Sequence, residues 1–350
     1  MHKNKIDKTF FGIVIAIVVI GIIMFTSASL GILAKNPAKF YGVIFNQFIF
    51  GLTGGLVALY LGYKIPYKFW RSYSLVLFIL VFLFTLSVFI PSIGVTHKGA
   101  TRWIEIFGVS IQPVEFLKIG FIFYFGALLS LAKNKVEQFR FSVLPFILLL
   151  LPISLILIKQ RDTKSMLLII ATALVMLFIS GVSWKKIIGL FVICSIGLGF
   201  LVFFKPYLMD RVKTFINPSI DSQNTSYQLQ QSLIAVGSGG IFGRGLGQSI
   251  QKFNYLPEPQ GDSIFAVIGE EVGFIGGVFL IILYCAFLVR GYRIGYYAPD
   301  SFSKLIVIGF VTIIIAQSFM NIASIIGVFP LTGVPLVFVS HGGTSLFLSL

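Results

Sequence analysis

Of the 350 residues, 57% are hydrophobic, only 11% are charged and 38 are Phe, with a mean hydropathy of +0.97. So little polar side chain cannot coat a water-soluble globule of this size, and the chain belongs in a bilayer. The formal net charge of +15 would suit nucleic acid, but the bases are scattered over the predicted loops on both membrane faces and form no single stripe. No nucleic-acid partner is expected; membrane lipid headgroups account for the bases of one face, and an anionic substrate for those of the other.

Apolar runs long enough to cross hydrocarbon as helices recur along the chain at 9–31, 42–62, 73–91, 113–132, 142–158, 165–182, 187–204, 263–289, 303–324 and from about 342. They lack the alternation of transmembrane strands. The reading is an all-α polytopic membrane protein of about ten transmembrane helices, forming a single transmembrane domain over 1–350. The last run is read as truncated, because Ser345 to Leu350 make less than two turns. The M-H-K-N-K-I-D-K head reads as an uncleaved signal anchor. Short-loop Lys and Arg, among them Lys3, Lys5, Lys64, Lys68, Arg71 and Lys133, outnumber Lys35, Lys39, Lys98 and their neighbours on the other face, which places the N-terminus in the cytoplasm. Cys194 and Cys285 fall inside predicted helices and read as packing residues, with no disulfide.

The loop before the fourth run reads H-K-G-A-T-R-W-I-E-I-F-G-V-S-I-Q-P-V-E-F-L-K, 97–118. Pro113 suits the first helical position and Glu115 the third, where the helix dipole alone would explain a carboxylate. Lys118 lies three residues on and can pair with it. A purely structural helix would do better with Leu, so the pair is assigned to a polar cavity. The next outer loop, K-Q-R-D-T-K-S, carries Asp162.

The one large excursion, 205–262, is placed outside between the seventh and eighth helices. It opens K-P-Y-L-M-D-R-V-K, an interfacial helix whose Lys205, Arg211 and Lys213 face headgroups or a substrate phosphate. Asn224-Thr225-Ser226 fits a glycosylation acceptor only formally. The glycines between Gly237 and Gly247 lack a P-loop ending and a preceding strand. Two readings stay open for them: a re-entrant segment packed closely on its neighbours, or backbone amides that contact a pyrophosphate.

The stretch 255–277, Y-L-P-E-P-Q-G-D-S-I-F-A-V-I-G-E-E-V-G-F-I-G-G, carries Asp262 from a polar loop into an apolar helix. Helix capping would account for an Asp there. Pro257 and Pro259 stiffen the approach in a way that capping does not require, and a carboxylate at the water end of a span can stay ionised. Glu270 and Glu271 follow about two turns below. Adjacent carboxylates cannot easily both ionise in low dielectric, so one is expected to be neutral or paired with a base from another helix; packing through buried hydrogen bonds is the alternative. The tail, T-G-V-P-L-V-F-V-S-H-G-G-T-S, includes Ser340 and His341. Three scattered His suggest no metal cluster, and a metal site stays unknown.

Taken together, these motifs resemble the SEDS family (shape, elongation, division, sporulation) of bacterial cell-wall polymerases. Its patterns run near Y-L-P-E-x-x-T-D-F-I-F-A-x-x-G-E-E-x-G, G-A-x-R-W-I with Q-P-S-E-x-x-K, and T-G-x-P-L-P-F-x-S-Y-G-G. This chain departs from them at Val114, Gly261, Ser263, Val337, His341 and the 161–165 segment. The resemblance implies a peptidoglycan glycosyltransferase that polymerises lipid II with inversion, working with a class B penicillin-binding protein (a transpeptidase) and other division or elongation proteins in the bacterial cytoplasmic membrane. By that resemblance Asp262 is the general base, and Arg102, Lys118, Arg244 and Lys252 are candidates for meeting pyrophosphate charge. Glu115, Asp162, Glu270, Glu271, Ser340 and His341 would support the cavity, and a divalent cation, Mg or Mn, could share the work. The run Q-S-I-Q-K-F-N-Y-L-P-E-P-Q looks closer to the division branch, FtsW, than to the elongation branch, RodA, which implies a place at the septum. A flippase for lipid-linked precursors and a non-catalytic division scaffold are the alternatives.

Overall fold

The computed structural model describes residues 6–97, 100–106, 109–132, 135–217 and 225–350; Lys3, Lys5, Lys98, Lys133 and Asn224 lie outside the described residues. Among the described residues, eight helices are long and apolar enough to cross a membrane: Lys8–Lys35, Phe40–Lys64, Tyr67–Phe89, Pro113–Ala132, Thr163–Ser180, Trp184–Phe204, Ile264–Tyr296 and Ser301–Ile325. Val143–Lys159 is shorter, at 17 residues, and Gly343–Ser349 is a helix of 7. Each expected run is therefore helical. Large apolar side chains stay exposed along them, such as Leu148, Leu151 and Leu155 at 57–63%, as a hydrocarbon-facing surface requires and water would not tolerate.

The chain divides into two compact units. The first comprises Met1–Thr53, Leu198–Arg290 and Gln317–Ser349. Its first helix, α1 (Lys8–Lys35), is capped by Asp7, which accepts from the Phe10 amide at 2.9 Å and pairs with Arg290 at 2.9 Å. The Phe10 amide, then Arg290, hold the Asp7 carboxyl below its ordinary range. One face of α1 buries Ile17, Gly21, Met24 and Ala28. A Cβ on Gly21 would overlap the Phe338 carbonyl, and one on Gly31 the Lys252 carbonyl, so α1 uses bare backbone to receive two distant segments of the chain.

After α1 come α2 (Pro37–Phe45) and a π-helical stretch, Asn46–Thr53; the chain continues in the other unit with α3 (Gly54–Lys64) and α4 (Tyr67–Leu86). This second unit comprises Gly54–Gly197 and Gly291–Ala316, with Leu350. It holds a small antiparallel sheet of β1 (Gly94–His97), β2 (Ala100–Ile106) and β3 (Val109–Ile111) in the order β1-β2-β3. The all-helical reading missed it. Then follow α5 (Pro113–Ala132), α6 (Val143–Lys159) and α7 (Thr163–Ser180). Leu117, Phe121 and Phe125 of α5, Ile153 and Leu157 of α6, and Ile169 and Ala173 of α7 form the buried core. After α8 (Trp184–Phe204), the segment expected to be an interfacial helix is helical, α9 (Pro206–Ile216), with Pro at its start.

In the first unit, α10 (Thr225–Ser238) and the short α11 (Gln251–Asn254) precede α12 (Ile264–Tyr296). The helix α12 is broken at Gly273, whose φ of 71° and ψ of −167° end one helical segment and begin another. The glycine-rich loop fills the break. The amides of Arg244 and Gly245 donate to the carbonyls of Glu270 and Glu271, each at 3.0 Å, and the Gly240 and Ile241 carbonyls accept from Phe274 (2.9 Å) and Ile275 (3.2 Å). A Cβ on Gly239 or Gly243 would strike the α12 backbone. Of the two open readings for these glycines, the close-packed segment is the one built here; it supplies the backbone partners that a broken span must find within protein. The remaining helices are α13 (Ser301–Ile325) and α14 (Gly343–Ser349).

Candidate active site

Asp262 sits in the turn just ahead of α12, with Ser263 between it and the first helical residue. The turn is tight: Gly261 and Ser263 amides both donate to the Glu258 carbonyl, at 2.9 and 3.4 Å, and Glu258 itself adopts φ 48°. The Asp262 carboxylate accepts from the Gln228 amide of α10 at 3.1 Å, and the same amide reaches the Ser263 hydroxyl at 3.0 Å. Behind it, the buried Asn321 of α13 donates to the Asp262 carbonyl at 2.6 Å and to the Val334 carbonyl at 2.7 Å. Gly333, at φ 65°, passes so close that a Cβ there would lie 3.3 Å from Asp262 Oδ2. The Arg211 guanidinium of α9 reaches the neighbouring Thr332 carbonyl at 3.3 Å. Asp262 is thus half-buried, ringed by amides and by a small-residue turn.

Gln228 and Asn321 escaped the sequence reading. Neither carries a charge or belongs to a motif that would mark it, Gln228 being one of three glutamines in 228–231, and only the meeting of three separated segments gives either its partners.

The Glu270–Glu271 pair is fully buried, and both members have partners. Glu271 accepts from Lys252 Nζ (2.7 Å), from the Ser27 hydroxyl (2.7 Å) and from the Gly247 amide (3.0 Å). Glu270 accepts from the Ser249 hydroxyl at 2.5 Å and from the Ile250 amide at 3.0 Å. Arg244 stands 3.8 Å from it and is more than a third exposed. The segment 247–252 therefore folds its donors onto the two carboxylates, so that charge buried in low dielectric is met by a cation and a fan of N–H groups. Lys252 is completely enclosed, with its ammonium also on Ser27 and Gly247. The basic partner expected for the pair is Lys252, contributed by α11.

Arg102, Glu115, Lys118 and Asp162 belong to the second unit. Lys118 and Glu115 pair at 2.6 Å, nearly buried, as their three-residue spacing predicted. Asp162 caps α7, taking the Ser165 hydroxyl at 2.8 Å, with Arg102 at 3.9 Å. Arg102, on β2, also donates to the carbonyls of Gln160, at 3.1 Å, and Arg161. It clamps the 160–162 turn, in which Arg161 takes φ 57°. Ser340 closes a turn by accepting from the Leu336 amide at 2.7 Å, and His341 donates its amide to the Gln260 carbonyl at 2.7 Å and stacks on Phe25. His341 ties the tail to the turn that carries Asp262.

The profile of the FtsW, RodA and SpoVE family, described as a cell cycle protein, matches residues 7–350. The chain is 36% identical to a probable peptidoglycan glycosyltransferase FtsW of Geobacter sp. (strain M18), over 94% of this chain and 90% of that one. It is also 36% identical to the stage V sporulation protein E of Bacillus subtilis (strain 168), over 99% and 95%. Among solved structures, it resembles a chain from a peptidoglycan synthase complex that coordinates polymerisation and crosslinking, with a TM-score of 0.80, 25% identity and coverage of 99% and 95%. The rod shape determining protein RodA of Thermus thermophilus shares the fold, with a TM-score of 0.72, 24% identity and coverage of 100% and 94%.

Proposed function

The chain belongs to the FtsW, RodA and SpoVE family of multi-pass membrane proteins, and from that premise we propose that it is a peptidoglycan glycosyltransferase that joins lipid II units into glycan strands. The observation that carries the reading is the Asp262 carboxylate, set at the mouth of a span and oriented by Gln228 and Asn321. In the proposed step Asp262 takes the proton of a sugar 4-hydroxyl. The freed oxygen bonds to the anomeric carbon of the second unit, the bond to the pyrophosphate oxygen breaks, and lipid pyrophosphate leaves with that electron pair, inverting the centre. Asp262 then returns its proton to water. A positioned base contributes about 10²- to 10⁴-fold.

Cations must meet the leaving charge. Lys252 already lies against Glu271, so it acts on it through the local field. Arg244, in the same unit as Asp262, retains exposed surface and is the side chain we assign to the phosphates. Among the described residues no three His, Cys, Asp or Glu side chains group as a metal cage. A divalent ion would fit chiefly through phosphate oxygens and water, as Mg²⁺ commonly binds, and would add charge neutralisation. A class B penicillin-binding partner, the cytoplasmic membrane and the division septum complete the proposal, with the N-terminus inside and 205–262 outside.

The break in α12 is a feature shared with transporters, so a flippase is the second reading. Purified protein with its penicillin-binding partner and labelled lipid II separates the two. Strands that disappear in Asp262→Ala support polymerisation, whereas lipid transfer across vesicles without strands supports the flippase.

A further inference from the structure

A hollow of about 530 Å³ lies in the second unit between the start of α4, the end of α5 and Asp300, which precedes α13. Lys68, Arg71 and Leu75 line it from one stripe of α4, and Tyr124, Leu128 and Leu131 from one stripe of α5. Its volume falls within the range of small-molecule sites. The one carboxylate in the lining is already engaged: Asp300 accepts from the Ser303 amide at 2.9 Å and from the Tyr67 hydroxyl. Among the described residues neither Lys68 nor Arg71 forms an ion pair, so two cations face the hollow against a single occupied anion. Leu75 and Leu131 are 47% and 67% exposed, which leaves an apolar flank open to lipid.

The ends of three spans surround this hollow. The loop charges place that face in the cytoplasm. Two cations beside an open leucine flank match a phosphate joined to acyl chains: Arg offers a fork to two oxygens, Lys a point charge, and the leucines a track for hydrocarbon. We propose that this hollow binds the phosphodiester of an anionic phospholipid from the cytoplasmic leaflet. This site is separate from the polymerising chemistry and does not depend on it.

The test is native mass spectrometry of the full-length protein in detergent, titrated with phosphatidylglycerol, phosphatidylcholine or inorganic phosphate. The wild type should retain phosphatidylglycerol at least about tenfold more tightly than phosphatidylcholine, and equimolar inorganic phosphate should not displace it. Lys68→Gln with Arg71→Gln should weaken retention roughly 30-fold, the equivalent of two basic contacts at about 1 kcal/mol each. Ser72→Trp, which fills the hollow and keeps both cations, should also lose the lipid, and Lys185→Gln should keep it. Undiminished retention in the double variant, equal binding of phosphatidylcholine, or displacement by inorganic phosphate each overturns the proposal. So does retention in Ser72→Trp, which would reduce the effect to surface charge. If the double variant does not fold, Ser72→Trp and the phosphate arm decide.

Discussion

The side-chain amide of Asn321 donates to the backbone carbonyls of both Asp262 and Val334, at 2.6 and 2.7 Å. It thereby fixes the turn that carries the carboxylate to the segment that passes in front of it. Both carbonyls lose their partner if the amide is removed, and a displacement of about 1 Å can cost on the order of 10²-fold in rate. Asn321→Ala should therefore lower kcat for strand synthesis by about 10²-fold with KM nearly unchanged. Steady-state assays with labelled lipid II check this, and a fall in KM-controlled rate alone would show that Asn321 does not position the base.

Gln228 holds the Asp262 carboxylate directly. Gln228→Ala should cost less than Asp262→Ala, on the order of tenfold, the loss of one hydrogen bond to a charged group. Gln228→Glu should cost more than Gln228→Ala, because it places a like charge where a donor stood. Equal activity of the Ala and Glu variants would remove Gln228 from the site.

Lys252 and Glu271 form a buried pair with no exposure on either side. Lys252→Met should destabilise the protein by about 3–5 kcal/mol, because a buried carboxylate is left uncompensated. Adding Glu271→Leu should recover much of that loss. Thermal unfolding in detergent reads both. A stable Lys252→Met protein with only a raised KM would instead make Lys252 a direct ligand of the substrate.

Gly243 has φ 81°, and any Cβ there meets the Glu271 carbonyl, whereas a Cβ on Gly237 meets nothing within 4 Å. Gly243→Ala should lower stability by more than about 1 kcal/mol, while Gly237→Ala, in a helix, should be neutral or stabilising by roughly 0.5–1 kcal/mol. Comparable melting temperatures for the two variants would contradict the inserted-loop arrangement.

Asp7 is held below the ordinary carboxyl range by the Phe10 amide and Arg290. A depressed folded value means that the unfolded state takes up protons first, so the stabilisation is present above pH about 4 and lost as pH falls through the folded value. Wild type should melt slightly above Asp7→Asn at pH 7, and the gap should close in acid. A gap that widens in acid would reverse the assignment.

Helix content, the order of the apolar helices, the helix α9 and the Glu115–Lys118 pairing were legible in the chain, because each rests on local spacing: apolar run length, a Pro at a helix start, or charges three residues apart. The placement of Asp262 just ahead of an apolar helix was legible too, from a polar loop entering an apolar run. The β1–β3 sheet was not, since two of its strands are only three or four residues long and alternate too briefly to stand out. Nor were the break at Gly273, the loop threaded into it, the enclosure of Lys252, or the service of Gln228 and Asn321. Those depend on which distant segments meet. A buried donor or acceptor must find a partner wherever the packed chain brings one, and that requirement leaves no local mark in the order of the residues.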